Sequence, residues 1–340
     1  MLTTLLALQI VTATPIDDPF AFFQPLVTIT ADDRRRLDRG EPIARVLPAT
    51  DREVAIFAAV PVSIDGDRLV AWIREIEALK KSSYVLAIRR FSNPPQLEDL
   101  AGLTLDDDDL SKIMDCRPSA CGVKLSAIEM TQLQRAAAES SGDWKPAVQE
   151  RFRQLVLQRV RSYLNAAVVG PFEDHSEQIW PAQEFARLVD HSAFLTEHLN
   201  AFAEQLRAPP GPPNPGVESF LYWSTERVAK RPITSVTHVN IIRGSDAGLP
   251  DVLVAGKEIF STHYINASLG ITALMRGAPE GPIYLVYVNR SQVDVLHGMF
   301  GGVVRWFMQR RLKAEAASVL QGLRRRLESG EPPGDFSEWR

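Results

Sequence analysis

The chain has 340 residues, of which 24% are charged and 45% hydrophobic, and its formal net charge is -4. These values are typical of folded soluble proteins and exclude a disordered chain. The acidic balance, without a long basic stripe, argues against nucleic acid as a partner. No segment reaches the roughly 20 apolar residues that a membrane-spanning helix requires. The length predicts one large domain with an insertion, or two packed lobes.

The first 13 residues are uncharged and mostly apolar, and they end in Val-Thr-Ala before Thr14. This pattern is typical of the apolar core and cleavage site of a secretory signal, so we expect export to the periplasm or cell envelope. No Lys or Arg precedes the apolar stretch. The alternatives are therefore a start codon assigned too late or a buried N-terminus.

Cys116 and Cys121 are separated by Arg-Pro-Ser-Ala. Two cysteines are too few for a structural zinc site, and no Cys-x-x-Cys-His haem motif is present. A small disulfide loop fits the spacing and agrees with export, because disulfides persist in oxidising compartments. The alternative is a pair of reduced thiols in a surface turn.

Residues 14–42 form an N-terminal lead. The segment that follows it predicts two strands with a helix between them. Residues 43–64 read as one strand, residues 67–82 place apolar side chains at helical spacing, and residues 84–91 read as a second strand. From 97 to 207 the period is helical throughout. The acidic residues 106–109 predict a helix start, and Ser126 with Glu129 predicts a capping box.

Residues 208–216 are rich in Pro and Gly and predict a linker. Five β-rich segments follow, at 219–225, 233–242, 252–264, 269–275 and 283–289, and their short connections predict an antiparallel meander. Residues 299–328 predict a long closing helix. Its basic residues form a face that predicts peripheral membrane contact: Arg305, Arg310, Arg311, Lys313, Arg324, Arg325 and Arg326.

The order of these segments resembles the START-like helix-grip superfamily, which includes polyketide cyclases and lipid-transfer proteins. The strand, helix and strand at 43–91, the meander and the closing helix carry this resemblance, and they cover about half of the chain. It implies an α+β fold in which a curved antiparallel sheet grips a long C-terminal helix and encloses a cavity. Residues 43–96 and 217–328 would form that domain, and residues 97–207 a large helical insertion.

Several polar residues of the meander are candidates for lining such a cavity. Lys257, Ser261 and His263 alternate with Leu253, Ala255 and Ile259, which predicts one apolar face with a few polar groups. The alternative is a face exposed to solvent. The full set of predicted ligand-binding residues is Tyr222, His238, Lys257, Ser261, His263, Tyr287 and Arg290.

The chain contains no His-Glu-x-x-His, Gly-x-Ser-x-Gly, phosphate-loop or dinucleotide-binding motif. We therefore expect no metal and no cofactor, and we assign no catalytic residue. The leading hypothesis is an exported protein that binds an apolar or amphipathic, lipid-like molecule without changing it. A second is a hydrolase or cyclase that uses His238 or His263 as acid or base. A third is a cell-envelope interaction protein with a filled core.

Overall fold

A computed structural model describes residues 18–50, 52–166, 170–174, 177–210, 216–227, 231–244, 246, 248–278, 280–296 and 301–330. The predicted signal segment at 1–13 and most of the proline-rich linker lie outside these residues. The fold is α+β, as the sequence predicts: one large antiparallel sheet carries helices on both sides.

Eight strands form the large sheet and two form a separate hairpin. In chain order the strands are β1 (Ile43–Val46), β2 (Glu53–Val62), β3 (Val85–Arg90), β4 (Phe172–Asp174), β5 (Glu177–Ile179), β6 (Glu218–Glu226), β7 (Ile233–Arg243), β8 (Val252–Ser261), β9 (Ile265–Arg276) and β10 (Ile283–Val293).

The described α-helices number ten, beside four short 3-10 helices at Ala21–Phe23, Leu97–Leu100, Ile113–Asp115 and Asp294–Leu296. In chain order the α-helices are α1 (Ala31–Asp38), α2 (Gly66–Arg74), α3 (Ile76–Lys80), α4 (Asp107–Lys112), α5 (Ala127–Ala138), α6 (Lys145–Leu164), α7 (Pro181–Asp190), α8 (Ala193–His198), α9 (Asn200–Arg207) and α10 (Gly301–Glu328).

The strands of the large sheet follow the order β1-β2-β10-β9-β8-β7-β6-β3, and neighbouring strands are antiparallel. The predicted five-strand meander is confirmed as β6 to β10. β2, near the start of the chain, pairs with β10, near its end. The sheet therefore joins the early strands β1 to β3 with the later strands β6 to β10.

The prediction of one strand over residues 43–64 is wrong. β1 and β2 are two antiparallel strands, paired from Ile43 opposite Ala59 to Val46 opposite Ile56. Leu47 N still donates to Ala55 O, and the chain turns after it, where Glu53 N donates to Thr50 O. The predicted helix over 67–82 is likewise divided into α2 and α3, which meet at Glu75.

Successive strand residues point to opposite sides of the sheet, so β8 defines two faces. We call the side of Val252, Val254, Gly256 and Glu258 the α10 face. The side of Leu253, Ala255 and Lys257 is the insertion face.

On the α10 face, α2, α3 and α10 cover one half of the sheet. Trp72 and Leu320 belong to a cluster with Val60, Val254 and Leu285 from β2, β8 and β10. The closing helix runs beside β2, since Leu312 packs near Val54 and Glu328 Oε1 accepts a hydrogen bond from Ser63 N. The predicted long C-terminal helix packed on the sheet is confirmed.

On the insertion face, the helices between residues 97 and 207 cover the sheet. α7 and α9 pack Phe185 and Leu206 against Leu253 and Ala255, together with the phenylalanines of the N-terminal lead. α5 and α6 pack on Trp223 and its neighbours at the β6 end. The hairpin β4–β5 interrupts the helical pattern, which the sequence reading did not predict.

Local structure within the insertion follows from its sequence. A disulfide joins Cys116 and Cys121, as predicted. The side chain of Asp106 caps α4 by accepting a hydrogen bond from Asp109 N, and the capping box of Ser126 and Glu129 is present. In the described part of the chain, no helix is sufficiently long and apolar to cross a membrane.

Candidate functional site

The α10 face contains a recess over the central strands. Residues of β7 to β10 that point to the insertion face are buried, whereas many of those that point to the α10 face are half-buried. Central strands of a sheet that is covered on both sides lose this accessibility unless a space remains above them. The residues that retain it are mostly small and polar: Ser235, Thr237, Gly256, Glu258, Ser268, Gly270, Thr272, Tyr287, Asn289 and Ser291.

Two glycines form the floor of this recess. Gly256 on β8 lies directly opposite Gly270 on β9. An added Cβ at Gly270 would approach no atom more closely than 3.9 Å, at Tyr287 OH and Asn289 Nδ2. Because neither residue carries a side chain, the backbone itself is open to the recess. A glycine inside a strand commonly marks a place where another group approaches the backbone closely.

A lysine and a glutamate form one wall of the recess. Lys80 Nζ, at the end of α3, lies 2.6 Å from Glu226 Oε1 on β6 and 3.4 Å from the hydroxyl of Tyr222. Burial favours a lower pKa for Lys80, but the neighbouring Tyr222 and Glu226 outweigh that effect and raise its pKa. The pKa of Glu226 is lowered in return, although burial opposes the shift. The two side chains are therefore a mutually neutralised pair.

Glu258 projects from β8 into the same recess, in register with Thr237 on β7. Burial raises the pKa of its carboxyl to about 8, and a hydrogen bond with Ser235 offsets this only in part. Burial also raises the pKa of Tyr287, against the effect of a hydrogen bond with Asn289. At neutral pH the recess therefore contains a protonated carboxyl and phenol groups beside one closed ion pair.

Of the predicted ligand-binding residues, Tyr222, Tyr287 and Ser261 point to the α10 face, and Ser261 is buried there with its hydroxyl bonded to His263 O. His238, Lys257 and Arg290 point to the insertion face and are buried beneath the helices. Ser261 and His263 lie at the end of β8. The structure thus divides the predicted set among three places.

The predicted common face of Lys257, Ser261 and His263 is wrong. The pairing of β7 with β8 shifts register after Val236, where Phe260 is its partner and Glu258 is the partner of Thr237. This β-bulge places an extra residue in β8 and reverses the alternation beyond it. Ser261, opposite Ser235, therefore points to the α10 face, and His263 follows the end of the strand.

The polar residues on the insertion face have partners within the protein. Lys257 Nζ donates to the backbone oxygens of Leu206 and Ala208, at 2.7 and 3.1 Å, and lies over the rings of Tyr163 and Phe185. The Tyr163 hydroxyl and His238 Nδ1 are 2.8 Å apart. Burial, with a smaller contribution from Lys257, lowers the pKa of His238 to about 4, so this histidine is neutral near pH 7.

Arg290 is likewise a structural residue of this face. Its guanidinium pairs with the fully buried Glu53, which also forms a 2.6 Å hydrogen bond with His191 Nδ1 at the end of α7. The pair therefore connects β2, β10 and the helical insertion. A buried carboxylate requires such partners, because a charge removed from water is otherwise strongly destabilising.

His263 belongs to a separate site at the start of α4. Its Nε2 lies 2.9 Å from Asp109 Oδ2, and Arg231 approaches the other oxygen of that carboxylate at 3.4 Å. Asp109 also lines a cleft of about 250 Å³ between the start of α4 and strands β3, β6 and β7, together with Thr225 and Thr234. These contacts explain why Asp109, one of the four consecutive aspartates, is buried.

Sequence reasoning missed Glu258 and Lys80. The signal for Glu258 was present in the alternation of β9 and β10, where Ser268, Gly270 and Thr272 alternate with buried apolar residues. That pattern marks one polar face over central strands. Lys80 gives no comparable signal, because its position depends on how α3 ends beside β6.

Comparisons with known proteins add little to this geometry. No protein-family model matches the sequence, and no curated protein matches it. A solved structure with some likeness is the di-domain aromatase/cyclase BexL from the BE-7585A biosynthetic pathway. It is 10% identical, with 94% of this chain and 96% of that chain covered, and the TM-score is 0.24. A likeness at this level carries no argument about function.

Proposed function

We propose that this protein binds an amphipathic small molecule in the recess on the α10 face. The observation that carries the proposal is the run of half-buried polar residues over the central strands, with the Gly256 and Gly270 pair as its floor. Ligand sites are concave and combine a largely preformed shape with a few orienting polar groups. Hydroxyl, amide and carboxyl groups surround the glycines, and the partly buried ring of Tyr287 supplies apolar surface on the same face.

The sequence predicts an apolar or amphipathic ligand, and of these two we propose the amphipathic one. A purely apolar molecule would remove Glu258, Asn289 and the hydroxyls from water without replacing their hydrogen bonds, which is unfavourable. A molecule with both an apolar body and polar groups avoids that cost. The proposal keeps the fold interpretation of a sheet that grips a helix and leaves a space between them.

The alternative of a hydrolase or cyclase that uses a pocket histidine has less support. His238 is buried on the opposite face, and His263 is bonded to Asp109 outside the recess. The alternative of an interaction protein with a filled core describes the insertion face but not the recess. Peripheral membrane contact through α10 stays a prediction. Three of its arginines have partners within the protein: Arg311 with Glu315, Arg324 with Glu328, and Arg326 with Leu79 O.

A dye-binding experiment with a matched pair of variants tests the proposal. Nile red is neutral and fluoresces in apolar surroundings, so the parent protein should bind it. Gly270→Trp places an indole on the floor of the recess and should abolish binding while the far-UV circular dichroism is unchanged. Gly322→Trp is the control, because that glycine of α10 faces open space. It should bind dye as the parent does.

Uptake by Gly270→Trp equal to that of the parent would contradict the proposal and place any bound dye elsewhere. Native mass spectrometry of the purified protein, followed by solvent extraction, supplies the complementary measurement. A bound small molecule should be present in the parent and absent from Gly270→Trp.

A further inference from the structure

The cationic side chains of the recess are already paired, whereas one carboxyl has no ionic partner. Lys80 is neutralised by Glu226 at 2.6 Å, and Lys124, at the rim, lies 3.1 Å from Asp294. Glu258 is different. In the part of the chain that the structure describes, its side chain has a hydrogen bond with Ser235 and no cation within ion-pair distance.

The position of Glu258 makes its carboxyl available to a ligand. The residue is half-buried, it follows Gly256 by two positions on the same face, and it therefore stands at the edge of the glycine floor. A molecule that lies over Gly256 and Gly270 would bring one end to this carboxyl. The hydroxyls of Thr237 and Ser268, on the strands that flank β8, lie on the same face.

We propose that the recess binds an amphipathic amine, with the ammonium group paired to the Glu258 carboxylate and the apolar body over the paired glycines. This inference rests on the proposed function and specifies the class of its ligand. A cation provides what the carboxyl lacks, since a buried carboxylate is stable when an opposite charge and hydrogen bonds surround it. A fatty acid would instead add a third carboxyl group near Glu258 and Glu226.

Binding of an ammonium has a proton balance that can be measured. In the empty recess burial holds the pKa of Glu258 at about 8, so most of the molecules carry a proton there at pH 7. Pairing with a cation favours the ionised form, and the displaced proton passes to the buffer. The other charged groups that act on this carboxyl are Lys124, Glu226 and Lys80. Their own ion pairs are complete in the empty recess, so they contribute little to the proton count.

Three probes with the same ten-carbon chain separate the head group from the tail: decylamine, decanol and decanoic acid. Displacement of Nile red at pH 7 should give an affinity for decylamine at least tenfold higher than for decanol, with decanoic acid weakest. Glu258→Gln should lower the affinity for decylamine to that for decanol and leave decanol unchanged. The control Glu218→Gln makes the same substitution in an exposed pair with Arg74, outside the recess, and should behave as the parent.

Calorimetry in two buffers of different ionisation enthalpy gives a second readout. Decylamine should release close to one proton per molecule bound to the parent at pH 7 and none with Glu258→Gln. Equal affinities of the parent for amine and alcohol, or an amine preference that persists in Glu258→Gln, would overturn this inference. In that case binding of decanol that Gly270→Trp abolishes would still support the recess as a binding site. If none of the three probes nor the dye binds in a manner sensitive to Gly270→Trp, the proposed function itself fails.

Discussion

The two faces of the sheet are made from the same strands but differ in how they are covered. On the insertion face, helices fill the space above Leu253, Ala255 and Ile271, and the polar residues Lys257, His238 and Arg290 are bonded within the protein. On the α10 face, α2, α3 and α10 fill one half, and the other half remains a polar recess. The burial of a polar residue therefore does not by itself indicate a binding site.

What separates the two faces is whether the polar groups have partners. On the insertion face Lys257 and His238 bond to the helical cover, and Arg290 is linked to it through Glu53, so the role of each is structural. In the recess, Glu258 and the hydroxyls of Thr237 and Thr272 face a space that another molecule can occupy. A polar residue is a better candidate for ligand binding when it is accessible and lacks an ionic partner than when it is merely buried.

The largest expected difference between the faces is in the pH dependence of stability. Lys257 and Glu258 are neighbours on β8 that point in opposite directions, and burial brings the pKa of each to about 8. For Lys257 this is a fall from 10.5. Between pH 8 and 10.5 the unfolded chain therefore holds a proton that the native protein has lost, and stability rises with pH.

For Glu258 the change is a rise from 4.5, so between pH 4.5 and 8 the native protein holds the extra proton. Its contribution to stability is present below pH 4.5 and is lost as the pH rises to 8. The Lys257 contribution is on the order of 3 kcal/mol, and that of Glu258 is reduced because water reaches the recess. The test is urea unfolding from pH 5 to 10. Lys257→Met should remove the rise in the free energy of unfolding above pH 8, and Glu258→Gln should remove the decrease in it between pH 5 and 8. Variants whose pH profiles parallel that of the parent would contradict the assigned environments.

The overall fold was largely readable because it depends on periodicity. The five strands of the meander, the helical period of α6 and the long closing helix each repeat one pattern over many residues, and burial of an apolar face dictates that pattern. The division of residues 43–64 into β1 and β2 was not readable. Both strands are rich in apolar residues, and only the short turn that begins at Thr50 separates them.

The candidate site was less predictable because it depends on which side of the sheet each strand residue faces. Two residues of opposite character, Lys257 and Glu258, are adjacent, and the side that each faces is set by the pairing of β8 with β7. The β-bulge opposite Val236 reverses the alternation of β8 beyond Glu258, and nothing in the sequence of β8 indicates the bulge. The partner of Lys257 is also remote in sequence, since its nitrogen reaches backbone oxygens at the end of α9. Tertiary contacts of this kind decide which polar residues remain accessible.

The second prediction compares added volume on the two faces. Ala255 is fully buried on the insertion face, opposite Ile271, so Ala255→Leu should overpack the core and lower the free energy of unfolding by roughly 1–3 kcal/mol. Gly270→Leu adds its side chain to the recess and should change stability by less than about 0.5 kcal/mol, or increase it slightly, because glycine weakens a strand. Thermal and urea unfolding measure both. Equal destabilisation by the two variants would indicate that no space exists above Gly270.

The smallest effect concerns a single hydroxyl on each face. The Tyr163 hydroxyl bonds with His238 Nδ1, and both side chains are buried, so Tyr163→Phe leaves the ring nitrogen without that partner. We expect a loss of about 1 kcal/mol in the free energy of unfolding, the typical contribution of such a hydrogen bond.

Tyr287→Phe removes a hydroxyl that faces the recess, where water can reach the groups it leaves. Asn289 keeps its hydrogen bonds with Ser268 and Ser291. The expected change is below about 0.5 kcal/mol. Urea unfolding of the two variants, made with the identical substitution, compares the faces without any change in ring size. A larger loss of unfolding free energy for Tyr287→Phe than for Tyr163→Phe would show that the Tyr287 hydroxyl is buried in the core. The recess would then be smaller than the accessible strand residues indicate.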